Sequence, residues 1–403
     1  MIYTPNEIME YVKQEDIKFM RFAFCDVFGN QKNISMMPSE LPRAFEYGVS
    51  FDASAIRGFG YEEKSDLLLF PDTSTFKILP WQPMHDKVVR FYCDIAYPNK
   101  RPFRSDGRYI LKQAIEAGRK KGLCFHVGAE YEFYLFKTDE KGEPSQIPHD
   151  KAGYLDIAPE DKGESIRREI CLMLDKMNIT PEGSHHEEGP GQHEVGFRYS
   201  EPLSAADNAT TFKAVVKAVS AENGLFASFA PKPLEGHAGN GLHINISLTA
   251  DDGTDYTMHF MAGVMAHIYE IAAFLNPSEQ SYARFGELRA PKYITWSPQN
   301  RSQLIRIPAA EGEYKRIELR SPDPLANPYL AYALLIRAGL DGIEKNMIIP
   351  PATNINLYTA DGKITSKLKT LPANYKMAAE AASKSEFVQS VLSKCIIEAY
   401  RQK

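Results

Sequence analysis

Apolar residues fill the run Val127-Gly128-Ala129-Glu130-Tyr131-Glu132-Phe133-Tyr134-Leu135-Phe136 except at two glutamates, a pattern that predicts one β-strand. Side chains alternate across a strand, so Glu130, Glu132 and Tyr134 share one face. Ala129, Tyr131, Phe133 and Leu135 take the other. Two neighbouring carboxylates repel unless a cation sits between them or one keeps its proton. An edge strand with its glutamates in water satisfies the same pattern.

The rest of the chain reads as alternating strands and helices. Thr4-Pro5-Asn6-Glu7 is a capping box with proline at the first helical position. Strands are expected over 17–27 and 31–36, joined by a turn at Phe28-Gly29-Asn30, and a helix from Ser39 to Gly48. Further strands are expected near 66–70, 76–79 and 88–96. Tyr97-Pro98-Asn99-Lys100-Arg101-Pro102-Phe103-Arg104 breaks the pattern and marks a boundary, giving domains 1–103 and 104–403. Beyond it, Ser105 is expected to cap a helix running to Gly122. Helices are expected near 159–177, 206–223, 258–275 and 328–346, with two more after Pro372. Strands between these helices make the fold class α+β.

Four later segments repeat the pairing of a polar face with an apolar one. In His185-His186-Glu187-Glu188-Gly189-Pro190-Gly191-Gln192-His193-Glu194-Val195-Gly196-Phe197, the central Gly and Pro predict a hairpin with Glu187 facing Glu194. An exposed acidic loop fits these residues as well. Gly239-Asn240-Gly241-Leu242-His243-Ile244-Asn245-Ile246-Ser247 puts His243, Asn245 and Ser247 on one strand face, after glycines that admit a close ligand. Arg316, Glu318 and Arg320 share a face opposite Ile317 and Leu319, and Asn300 to Pro308 adds Arg301 and Arg306 among apolar residues. A surface charge ladder is the other reading of that pattern. Arginines gathered near carboxylates suit an anionic substrate or a transferring phosphoryl group.

Glu130, Glu132, Glu187, Glu194 and Glu318 with His243 offer mostly hard oxygen donors, which suits two Mg²⁺ or Mn²⁺ ions and not zinc. With the glycine loop and the arginines, the set points to metal- and ATP-dependent phosphoryl transfer. Composition narrows the class without changing it. At 403 residues and net charge −5, with 43% hydrophobic and 25% charged residues, the chain carries no basic field for nucleic acid. Cys25, Cys93, Cys124, Cys171 and Cys395 are scattered and odd in number, which suits free thiols in a reducing compartment. The N-terminus lacks signal-peptide features and no apolar run approaches membrane-spanning length, so no membrane and a cytoplasmic location are expected.

In this order, the motifs Gly128-Ala129-Glu130-Tyr131-Glu132-Phe133, His186-Glu187 through His193-Glu194, Lys232-Pro233 through Leu242-His243, Asn300-Arg301-Ser302 with Arg306-Ile307-Pro308, and Arg316 to Pro324 with Asn327-Pro328-Tyr329 resemble the glutamine synthetase family. The resemblance runs from about residue 15 to about residue 395. It implies a small β-grasp-like domain followed by a catalytic domain with a curved antiparallel half-barrel sheet backed by helices. Glu130, His243 and Glu318 would hold one metal, the one gathering the substrate carboxylate. Glu132, Glu187 and Glu194 would hold the other, bridging the ATP phosphates. Arg284, Arg301, Arg320 and the Gly239 backbone would bind glutamate. Arg306 and Arg316 would neutralise the phosphates, with Glu182 and Ser247 at the nucleotide. Asp52 matches the ammonium-binding aspartate, from a domain that completes the neighbouring subunit's site in a homo-oligomeric ring. The implied reaction makes glutamine from glutamate, ammonia and ATP through a γ-glutamyl phosphate, under a flap expected at 281–296.

Three departures fall on the acceptor side. Arg289 stands where the family's flap presents a glutamate before Ala-Pro, and an arginine neither acts as a base nor attracts ammonium. Glu287 is the candidate substitute in a segment one residue short. Ala238 replaces an asparagine in the glycine-rich loop, and the chain stops at Lys403 where relatives continue, so one hexameric ring is as open as a double one. Organic amines or polyamines as acceptor, and an inactive metal- and nucleotide-binding ring, are the alternative readings.

Overall fold

The computed structural model describes residues 3–59, 65–81 and 87–403. Helix α1 (Pro5–Gln14) opens on the capping box, with Thr4 Oγ1 accepting from the Glu7 amide and the Glu7 carboxylate accepting from the Thr4 amide at 2.7 Å. Strands β1 (Phe19–Cys25) and β2 (Gln31–Met36) form the expected hairpin, followed by α2 (Leu41–Tyr47), β3 (Val49–Asp52), β4 (Asp66–Pro71), β5 (Lys77–Ile78) and β6 (Val88–Ala96). They make a sheet in the order β2-β1-β6-β4-β3, with β5 also on β6. The β1–β6 pair is parallel, which leaves both strands covered, and Met20, Phe22, Val89 and Phe91 are fully buried.

Next come α3 (Gly107–Arg119), β7 (Leu123–Thr138), β8 (Pro144–Pro148), α4 (Glu164–Lys176), β9 (Pro181–His186), β10 (Gln192–Ser200), α5 (Pro202–Glu222), β11 (Leu225–Ser228) and β12 (Leu242–Ala250). The remainder is α6 (Thr257–Leu275), α7 (Glu279–Tyr282), β13 (Trp296–Pro298), β14 (Ile305–Ile307), β15 (Ile317–Leu319), α8 (Pro328–Glu344), α9 (Gly362–Thr365), α10 (Tyr375–Lys384), α11 (Glu386–Val391) and α12 (Lys394–Arg401). The second sheet runs β13-β14-β15-β12-β7-β10-β9, with β8 and β11 also on β7. It is antiparallel except at β13–β14, and helices back one side of it, as expected for an α+β chain.

Some boundaries differ from expectation for local reasons. Asp106, not Ser105, caps α3, its carboxylate accepting from the Arg108 amide. Helix α4 begins only at Glu164, because residues 154–163 run as turns. Three helices follow Pro372, as Ser385 and Ser393 each cap a new one.

The apolar face of β7 carries the core. Tyr131 and Phe133 are fully buried and pack with Phe212 of α5 and, through it, with Phe197 and Phe229. Truncating one such ring to alanine costs about 3–5 kcal/mol, so the strand's register is strongly fixed. Helix α6 is long and apolar enough to cross a membrane by length and composition, but it lies in the core against α8.

The small sheet is held to the large one by buried polar groups. Arg108 on α3 is 2% exposed and pairs with Asp72 at 2.6 Å, with Asp94 at 3.2 Å and with Asp207 of α5. Tyr329 on α8 donates to the same Asp207 at 2.7 Å. Asn327 caps α8 through its Oδ1 and donates its Nδ2 to the Val27 carbonyl in the β1–β2 turn.

Candidate active site

The sheet register aligns the chemistry. His243 on β12 lies directly opposite Glu130 on β7, Glu132 opposite Glu194 on β10, and Glu194 opposite His185 on β9. On the other flank Asn245 opposes Glu318 on β15, and Glu318 opposes Arg306 on β14. Directly opposed residues point to the same face of a sheet, so six strands gather these groups on one face, around one concave cavity. That cavity, about 280 Å³, is lined by Glu130, Glu132, Glu187, Glu194, His243, Gly239 and the arginines 284, 301, 306, 316 and 320.

Glu318 sits just behind the wall, 2% exposed, accepting from Arg320 at 2.5 Å and from Arg306. Its burial opposes ionisation, yet Arg320 and then His243 hold the carboxyl below its usual range. Glu130 is likewise lowered against its burial by His243 (Nδ1 to Oε2, 3.3 Å) and by the Asn245 amide at 3.0 Å. Its neighbours along the sheet behave oppositely. Burial raises Glu132 despite the amide of Gly241 at 2.8 Å, and burial with Glu132 and Glu194 pushes Glu187 up to about 7. Among the described residues no lysine or arginine pairs with Glu132, Glu187 or Glu194; the imidazole beside the last two is that of His185, 3.6 and 3.3 Å away. Buried carboxylates crowded together, with burial opposing their ionisation, are what a divalent cation would relieve. Hard oxygens with a single imidazole fit Mg²⁺ or Mn²⁺.

Ligand atoms close enough to share an ion fall into three groups: Glu130, Glu194 and His243; His185, Glu187 and Glu194; and Asp150, His186 and His193. The first two draw on the expected set. The third is a structural network, because the Arg167 guanidinium donates to His193 Nδ1 at 2.8 Å and occupies the place of a cation. In it His186 donates to Asp150 at 2.9 Å and to the Glu187 carbonyl at 2.7 Å, fixing the backbone at Glu187.

The hairpin forms, but Glu187 does not face Glu194. Glu187 lies just beyond β9 and its amide donates to the Gln192 carbonyl, so His185 takes the place opposite Glu194. The turn is tight: Gly191 has φ +67°, and a Cβ at Gly189 would lie 1.9 Å from the Tyr134 hydroxyl. Gln192, unassigned from the sequence, is fully buried and its amide donates to Glu132, to the Gly239 carbonyl and to Asn240. Only its place in the turn could have pointed to it.

A second cavity adjoins the first, sharing Glu130 and Arg316 and reaching Glu182 and Ser247. The register explains it: Gly128 faces Asn245 and Gly196 faces Glu130, so two missing side chains leave a slot in the polar face. Arg284 is 3% exposed, and its guanidinium donates to the Ser321 and Pro322 carbonyls beside Asp323. Asp52 lies apart from both cavities at the exposed end of β3, its carboxylate held below the usual range by the Ser54 hydroxyl and amide. The expected flap splits into α7, a turn at 283–295 and the start of β13; Leu288, Arg289 and Ala290 line the cavity, and Glu287 is absent from its wall.

Residues 16–98 match the glutamine synthetase β-grasp domain and residues 104–403 the glutamine synthetase catalytic domain. The chain belongs to the glutamine synthetase family. Glutamine synthetases from Methanosarcina mazei and Thermus thermophilus are 43% and 40% identical to it, over 98% and 100% of this chain and 92% and 94% of theirs. A solved GmaS/ADP complex superposes with a TM-score of 0.89 at 27% identity, covering 100% of this chain and 94% of that one. A Plasmodium falciparum glutamine synthetase shares the fold, with a TM-score of 0.86 at 24% identity over 99% of this chain. Family membership makes the small sheet a β-grasp domain and the large one the half-barrel of a ligase of the glutamine synthetase type.

Proposed function

We propose that the chain joins glutamate to ammonia at the expense of ATP, with Glu130, Glu132, Glu187, Glu194, His243 and Glu318 holding two Mg²⁺ or Mn²⁺ ions. The convergence of those six residues with five arginines around one cavity is the observation that carries this reading. The bound ions would screen the phosphates and draw the carboxylates into their charged forms.

The neighbours of each triad support roles opposite to those first implied by resemblance. Glu132 shares Gln192 with the Gly239 carbonyl and lies near Arg284, which suits the amino-acid end of the cavity. Glu318 is bonded to Arg306, and Glu130 borders the slot that holds Ser247, Glu182 and Arg316, which suits the phosphate end. Arg306 and Arg316 then offset charge on the transferring phosphoryl group, and Arg301 and Arg320 orient the substrate carboxylate. The γ-carboxylate attacks the terminal phosphorus of ATP, ADP leaves, and the amine displaces phosphate from the acyl carbon. An unactivated carboxylate is a poor acceptor, and phosphorylation supplies the leaving group.

Asp52 is read as acting across a subunit boundary in a homo-oligomeric ring, the division between domains as falling at 103/104, and the location as cytoplasmic. Arg289 stands where the family's flap presents a glutamate, and an organic amine in place of ammonia is therefore the second acceptor class. Incubation with Mg–ATP, glutamate and a panel of amines, followed by phosphate release and product mass, separates these readings. Turnover with ammonia supports glutamine synthesis, turnover only with an organic amine supports the second class, and no amide with any amine removes the ligase reading.

A further inference from the structure

The flap meets the opposite wall of the cavity through a contact of this chain's own. Residues 286–290 close on themselves, with the Gly286 amide donating to the Ala290 carbonyl at 2.9 Å and the Ala290 amide to the Glu287 carbonyl at 3.0 Å. Leu288 and Arg289 adopt φ of +42° and +71°, the left-handed region that side chains other than glycine's rarely occupy. Such a backbone persists only where its surroundings over-determine it. Here the surroundings are the opposite wall of the cavity. Arg289 Nη2 pairs with Glu188 at 2.5 Å, and its guanidinium lies 5.2 Å from the Tyr154 ring centre. Tyr154 in turn meets His185 edge to face at 5.5 Å, and His185 stands between Glu187 and Glu194. Glu188 borders the catalytic cavity on one side and an outer groove, reaching Pro190 and His237, on the other.

We infer that Arg289, Glu188 and Tyr154 form a latch that holds the flap over the acyl phosphate and keeps water from it until the amine attacks. Arg289 is a positioning residue in this role, with no part in proton transfer. The inference rests on the ligase reading. In the wanted reaction the amine nitrogen bonds the γ-carbonyl carbon, the bond from that carbon to the phosphate oxygen breaks, and the amine's proton passes to solvent. With the latch open, the oxygen of water bonds the same carbon, phosphate leaves by the same cleavage, a proton goes to solvent and glutamate is regenerated. Either way one ATP is consumed, so the latch sets the ratio of phosphate released to amide formed.

The test uses the full-length protein with Mg–ATP, glutamate and either ammonium chloride or propylamine. Wild type is expected to release close to one phosphate per amide. Arg289→Met and Glu188→Gln are expected to raise that ratio roughly two- to fivefold, the range that a part-exposed ion pair supports. Arg289→Lys, which keeps the charge opposite Glu188, should stay near the wild-type value, a retention that a merely structural defect would not show. Unchanged ratios in Arg289→Met and Glu188→Gln, or a ratio for Arg289→Lys as high as for Arg289→Met, would overturn the latch. Amide hydrogen exchange over 284–291 gives an independent reading: Arg289→Met should exchange faster by a similar factor, and equal exchange overturns the inference. If wild type forms no amide with either amine, the ligase reading falls and the exchange rates alone judge the latch.

Discussion

At the scale of single residues, the site is decided by which carboxylates have partners. Glu318 and Glu130 have arginine, asparagine and histidine beside them; Glu132 and Glu187 have amides and imidazoles but no arginine or lysine in an ion pair, and burial raises both. The positions of Glu130, Glu132 and Glu318 were legible from strand alternation, since a face is fixed by counting in twos, whereas that of Glu187, just beyond β9, was not. His185 and Gln192 were not, because their roles depend on where the hairpin turns. The raised Glu187 has a consequence for stability. Its carboxyl ionises near 7 in the folded chain and near 4.5 in the unfolded one, so its contribution is fully present below 4.5 and is lost as pH rises through 7. In EDTA at pH 8, Glu187→Gln should therefore melt above wild type, and the advantage should vanish by pH 4. Mn²⁺ should reverse the order at pH 8 by binding the wild-type carboxylate. Thermal melts under the three conditions check this, and a pH-independent difference would contradict it.

At the scale of elements, α6 and α8 pack very closely on one another. A Cβ on Gly263 would lie 2.1 Å from the Ala338 carbonyl, and one on Gly342 would lie 2.2 Å from the His259 carbonyl. Both obstacles are backbone and cannot rotate away, so the helices would have to separate. Gly263→Ala should cost about 1–3 kcal/mol by overpacking, read as a lower urea midpoint. Gly183→Ala, which meets nothing within 4 Å, should stay within ~0.5 kcal/mol of wild type and serves as the control. The helices themselves were legible from apolar spacing and caps. Their closeness was not, because a glycine inside a helical pattern looks the same whether it faces solvent or another backbone.

At the scale of the whole molecule, Arg108 shows how the domains are tied. Its three carboxylate partners come from residues 72, 94 and 207, and its burial makes loss of the charge expensive. Asp52 shows the opposite: an exposed carboxylate that does not line the cavity of its own chain. If its role lies in a neighbouring subunit, Asp52→Ala and Glu318→Gln should each be inactive alone. Mixed after dissociation and reassembly, they should regain about a quarter of wild-type activity, because about one interface in four then pairs two intact halves. Activity that stays absent in the mixture would place Asp52 outside the site.

By itself the sequence determined the strand faces, the capping box at Thr4 and the donor chemistry, since each depends on neighbours a few residues apart. It also carried the family motifs, and with them the half-barrel. Tertiary structure alone decided which carboxylates lie beside arginines and which beside each other, that the flap arginine meets Glu188 and Tyr154, and that Asp52 stands outside its own chain's cavity. Those facts are distances between residues separated by tens to hundreds of positions, and no local pattern encodes a distance of that kind.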